Sequence, residues 1–242
     1  MRSLIFAKRV SKEILREPLS IVFGIGFPVV LLLLLTAIQK NVPVPMFALE
    51  ELTPGIAVFG LSFLALFSAQ LVAKDRASSV LDRLFTTPMR AGDFIIGYVL
   101  PLLPMAMAQG VICYAVALPL GLSLCIGHLW ALLALLPVAV IYIGIGLLCG
   151  SVFAEKTATS LCGALLTNLS AWLSGTWFSL DLVGEGFRTF AELLPFSHAV
   201  DLGRAALASN MPDALQHLPW VCGYAIVFFA AAVFAFYKGM KR

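Results

Sequence analysis

From residue 19 to residue 38 the chain runs for twenty positions without a charged side chain. Five more stretches, at about 53–73, 93–120, 128–153, 157–180 and 218–237, repeat the pattern, broken only by Asp93 at an edge. A helix needs about 20 apolar residues to cross the hydrocarbon of a bilayer. Six such runs in 242 residues leave little room for anything else. The composition agrees: 61% of residues are hydrophobic, 12% are charged and the mean hydropathy is +0.98. No water-soluble core of this size could hide so much apolar surface. The expected fold is an all-α membrane protein with six transmembrane helices in a single domain, 1–242. The first run is too long for the apolar core of a signal peptide, so it is expected to be retained as a span. Pro28, Pro101, Pro104 and Pro137 fall inside runs, where neighbouring helices tolerate kinks.

Orientation follows from lysine and arginine, which favour the cytoplasmic side. With the N-terminus inside, 13 of these cations fall on the cytoplasmic side and only Lys40, Arg188 and Arg204 outside. Both termini are therefore expected in the cytoplasm. Trp130, Trp177 and Trp220 fall near the outer ends of their runs, where amphipathic rings settle.

Three segments are not apolar runs. Residues 1–17 place Leu4, Ile5, Ala7, Val10, Ile14 and Leu15 on one broad helical face against Lys8, Arg9, Lys12 and Arg16, the pattern of a helix lying on a membrane surface. Residues 74–90 carry Ala77, Val80, Leu81, Leu84 and Phe85 at helical spacing, flanked by Lys74, Asp75, Arg76, Asp82 and Arg83 and ended near Pro88. This predicts a short amphipathic helix projecting into the cytoplasm. Residues 181–217 place Asp181, Glu185, Arg188 and Glu192 on one stripe, then a second helix around 199–209. That predicts two short re-entrant or interfacial helices before the last span.

Chemistry-bearing motifs are scarce. The nearest phosphate-loop match, GSVFAEKT at 150–157, has Glu155 where a glycine must admit phosphate, so no ATP site is expected in this chain. Gly146 and Gly150 are spaced for close helix packing. His128, His198 and His217 read as isolated, and the five cysteines read as small hydrophobes without zinc spacing. No charge lies deep in a run, which disfavours a proton-coupled transporter or channel, the alternative reading. The fifth run is the most polar: Ser160, Thr167 and Ser174, with Asn168 beside them, could form a translocation or dimer face. The net charge of +3 is too small and scattered for nucleic acid.

Residues 73–90, AKDRASSVLDRLFTTPMR, and residues 194–204, LPFSHAVDLGR, resemble the permease subunits of ABC-2-type transporters, and the resemblance covers the whole chain. It implies an N-terminal interfacial helix at 1–17, a cytoplasmic coupling helix within 74–90 and an outer re-entrant segment at 181–217 that includes His198, Asp201 and Arg204. It also implies a separate ATPase subunit that holds ATP and Mg, and a second permease subunit, a homodimer in the simplest case. The coupling residues would be Asp75, Arg76, Val80, Leu81, Asp82, Arg83, Leu84, Phe85, Pro88 and Arg90. The implied activity is export of a hydrophobic, amphiphilic or lipid-linked substrate across a bacterial inner membrane, with no catalytic, cofactor or metal site in this chain.

Overall fold

The computed structural model describes residues 2–42, 47–78, 80–87 and 89–240, apart from the side chains of residues 2, 19, 20, 82, 84 and 85. All the regular secondary structure among the described residues is helical. α1 (Arg2–Leu15) and α2 (Pro18–Ile21) lead through a π-helical turn, Val22–Gly26, into α3 (Phe27–Gln39). α4 (Leu49–Ala77), the short α5 (Val80–Phe85), α6 (Ala91–Leu120) and α7 (Gly127–Val152) follow. Then come α8 (Glu155–Ser160), a second π-turn at Leu161–Leu166 and α9 (Thr167–Leu173). After a 3₁₀ turn at Leu180–Leu182, α10 (Glu185–Glu192), α11 (Pro195–Leu207) and α12 (Met211–Met240) complete the chain.

Five helices are long and apolar enough to cross a membrane, not the six expected: Val22–Gln39, Leu49–Ala77, Ala91–Leu120, Gly127–Val152 and Met211–Met240. The protein is thus a multi-pass membrane protein. The expected fifth span, 157–180, is divided among α8, the π-turn and α9, and stops at Leu173. Gly175 then turns the chain at φ +67°, a conformation that disfavours residues with a Cβ. The segment runs beside α4 in three short pieces. Arg76 holds the carbonyl of Phe153 at one end, and Arg204 holds those of Gly175 and Glu51 at the other.

α4 is the axis of the bundle. It packs on α3, α6, α7, α8, α9 and α11, and most of its residues are buried. Its tightest neighbour is α7, where Gly146 and Gly150 lie directly on the α4 backbone at Ala65 and Ala69. This is the close packing that their spacing predicts. The two π-turns flank α4 at one level: Gly24 meets Phe67, and Gly163 meets Leu66. α11, lined by Ala199, Gly203, Ala205 and Ala206, is buried among α4, α7 and α12, whereas α10 is largely exposed.

α1 lies along α6. Phe6 fits over Gly97, where any side chain would strike its ring, and meets Phe94 and Tyr98 edge-on. Both of those rings also contact Phe236 near the end of α12, so the first and last helices meet at one end of the molecule. α1 buries Phe6, Ala7 and Val10 but leaves Leu4, Ile5 and Leu15 exposed. Its apolar surface is therefore divided between protein and surroundings, as suits a helix packed against the bundle in a membrane interface.

Candidate functional site

At the termini-bearing end, the apolar part of α4 stops at Ala73, but the helix continues for one more turn through Lys74, Asp75 and Arg76. These residues are thus the end of α4 and not part of a separate loop helix. Each reaches a different neighbour. Asp75, expected at the surface, is 2% exposed. It accepts two bonds from the Arg9 guanidinium, at 2.9 and 2.5 Å, and one from the Tyr98 hydroxyl at 2.6 Å. A buried carboxylate is tolerated only when paired and hydrogen-bonded in this way. The Asp75 bonds raise the Arg9 pKa above its ordinary value. Burial, and then the nearby Asp75 charge, push the Glu13 carboxyl up. Lys74 donates to Glu17 at 2.6 Å. Arg76 donates to the carbonyls of Gly150 and Phe153, at 2.9 and 3.1 Å, and so caps the end of α7. One helical turn thereby ties α4 to α1, α6 and α7.

α5 hangs from this turn. Leu81 is 1% exposed and belongs to the protein's own core, Val80 is partly buried and Arg83 is exposed. The side chains of Asp82, Leu84 and Phe85, and all of Pro88, lie outside the described residues. The backbone amide of exposed Arg90 donates to Asp93 at 2.9 Å, opening α6.

The polar residues of the fifth segment do not share a face. Ser160 and Asn168 are exposed, Thr167 is partly buried and Ser174 is buried, bonded to Thr176 at 2.7 Å. The π-turn accounts for the scatter, because its extra residue rotates everything after it relative to a regular helix. Thr167 bridges that turn by donating to the carbonyl of Cys162 at 3.1 Å. Ser170 is buried and bonded to Tyr142 at 2.5 Å.

At the opposite end, Arg204 joins three elements: it donates to the carbonyls of Glu51 (3.3 Å) and Gly175 (2.9 Å) and pairs with Asp201 at 3.4 Å. A cavity of about 420 Å³ opens beside it, ringed by Glu51, Asp181, Arg188, Glu192, Asp201 and the turn after Ser174. His198 and His217 are not isolated, contrary to the sequence reading. Their Nδ1 atoms are 2.9 Å apart, and His198 also stacks on Trp220 at 5.0 Å. The neighbouring bond fixes the proton. His198 Nε2 must donate to the carbonyl of Glu192 (2.9 Å), so neutral His198 accepts at Nδ1 from His217. Among the described residues no group of three side chains is placed to hold a metal ion.

This pair predicts a pH effect. Burial lowers the His198 pKa from 6.5. The unfolded chain therefore takes up a proton first, and stability present above about pH 6.5 declines as pH falls below it. Asp201 acts in the opposite sense nearer its own range, because burial raises its pKa from 3.8. Protonated His198 would also set two N–H groups against each other. Acidification from pH 7.5 to 5.5 is expected to lower the melting temperature by a few degrees and quench Trp220 fluorescence. Both changes should be absent in His198→Gln.

Comparison with known proteins matches this architecture. The family model for the ABC-2 type transporter covers residues 3–208. Nodulation protein J of Bradyrhizobium diazoefficiens is 22% identical over 229 residues, covering 94% of this chain and 86% of the relative. Nodulation protein J of Rhizobium leguminosarum bv. trifolii is 24% identical over 147 residues, which is 60% of this chain and 56% of that relative's length. With the matched region spanning most of the helical bundle, the chain belongs to the ABC-2 type transporter family, as a membrane permease.

Proposed function

We propose that this chain is the transmembrane subunit of an ATP-binding cassette exporter for a hydrophobic, amphiphilic or lipid-linked substrate. It works as a pair of permeases, of which two identical copies are the simplest case. Separate ATPase subunits bind ATP and Mg and supply the energy. The excess of lysine and arginine at the termini-bearing end favours placing that end in the cytoplasm of a bacterial inner membrane.

One observation carries the reading. α5 is fastened to the turn of α4 that grips α1, α6 and α7 through Asp75 and Arg76. A partner that moves α5 would move several helices together. The exposed Arg83, and the side chains of Asp82, Leu84 and Phe85, are the candidate contacts for that partner. Leu81 serves the permease's own core. In the outer segment His198, Asp201 and Arg204 hold α11 in place beside the cavity, and Ser160 and Asn168 are the exposed polar groups that a second copy or substrate could touch.

The test is gentle purification of the tagged chain, with the ATPase subunit quantified in the eluate. Arg83→Glu should leave insertion and yield unchanged and cut ATPase retention by about tenfold, as like-charge contacts at an interface do. Absence of any ATPase from the wild-type preparation would overturn the assignment.

A further inference from the structure

The termini-bearing end carries a second cavity, of about 650 Å³, between the last turn of α4, α5, the α7–α8 turn and the last turns of α12. Its walls are apolar, formed by Leu81, Val152, Phe153 and Phe236. Its rim carries Arg76 and Lys238, with Glu155 as the single acid. Three apolar helices reach their charged ends at this place: α4 at Lys74, α7 just before Glu155 and α12 at Lys238. The cations therefore lie at headgroup depth and the apolar walls at acyl-chain depth.

The cations are also available. Among the described residues Lys238 has no ion-pair or hydrogen-bond partner. Arg76 uses only Nη1 for its two carbonyls, which leaves Nε and Nη2. Val152 and Phe153 stay exposed along the wall. Basic pockets between membrane helices at a cytoplasmic surface select anionic headgroups, whereas a choline headgroup would bring its own cation against Arg76 and Lys238.

We infer that this cleft is a resident site for one anionic phospholipid. The phosphate sits between Arg76 and Lys238, and one acyl chain lies along Val152, Phe153 and Phe236. The site is independent of the ATPase assignment, since its ligand comes from the bilayer.

The full chain, delipidated in mild detergent, is titrated with phosphatidylglycerol or with phosphatidylcholine of the same acyl chains, and bound lipid is counted by native mass spectrometry. One phosphatidylglycerol should bind in preference to phosphatidylcholine. Lys238→Gln should weaken phosphatidylglycerol about fivefold, the effect of one basic residue at a membrane surface, and leave phosphatidylcholine unchanged. Ala235→Trp, which fills the apolar part, should weaken both. Lys8→Gln, on the exposed side of α1, should change neither. Equal affinity for the two lipids, or an equal loss in Lys8→Gln and Lys238→Gln, would overturn the proposal. So would displacement of the lipid by millimolar inorganic phosphate, which would indicate a plain anion site. A protein occupant would show as an ATPase complex that holds no lipid while the free chain does, and that too would overturn it.

Discussion

Arg9→Ala is expected to destabilise the protein by about 3 kcal/mol, the low end of the range for breaking a buried ion pair. The asymmetry of the pair sets this value. The Asp75 side chain is 3% exposed and that of Arg9 is 37% exposed. Removing Arg9 leaves a carboxylate in the helix bundle with only the Tyr98 hydroxyl to serve it. Removing Asp75 instead leaves a guanidinium that can turn to water, so Asp75→Ala should cost less than Arg9→Ala. In the double variant Arg9→Met with Asp75→Asn neither charge remains, and most of the lost stability should return. Transport should not return, because α1 is then no longer latched to the turn from which α5 hangs. Melting curves in detergent, paired with transport by reconstituted protein, separate the two effects. Equal melting of wild type and Arg9→Ala would show that the latch contributes nothing to stability.

Gly146→Leu carries the other large effect. A side chain here meets the Ala65 carbonyl and the Ser68 hydroxyl on α4. Overpacking a helix contact costs about 1–3 kcal/mol when side chains can yield. Here part of the obstacle is backbone, so α4 and α7 must separate, and little folded protein should be recovered by detergent extraction. Gly223→Ala is the control: on α12 nothing lies within 4 Å of the added methyl, and the better helix propensity of alanine should leave the yield unchanged. Normal yield and melting of Gly146→Leu would mean that α4 and α7 do not approach closely in the membrane.

The features legible in the sequence are those that depend on local pattern. Apolar runs mark the long helices, and the Gly146–Gly150 spacing marks a close helix contact, although not that α4 is the partner. What escaped depends on partners remote in the chain. Asp75 looks like one more surface charge until Arg9, 66 positions earlier, is brought against it by the packing of α1 on α6. His198 and His217 are 19 residues apart, and only the turn between α11 and α12 brings their rings together. The fifth segment misled for a different reason. Hydropathy measures how apolar a run is and not whether its hydrogen bonding is regular, so the π-turn at Leu161–Leu166 left no trace in it. Periodicity places Leu81 on the apolar stripe of 74–90 without saying which neighbour covers it.

α4 has 29 residues, which at 1.5 Å per residue makes a rod of about 43 Å. Beyond Pro54 no proline interrupts its hydrogen bonding, and neighbours enclose it along most of its length. Such a shaft carries a thrust applied at one tip to the other with little loss. Its far tip is Glu51, gripped by Arg204 beside the distal cavity. The turn that carries Asp75 and Arg76 and the mouth of the distal cavity are therefore two ends of one helix.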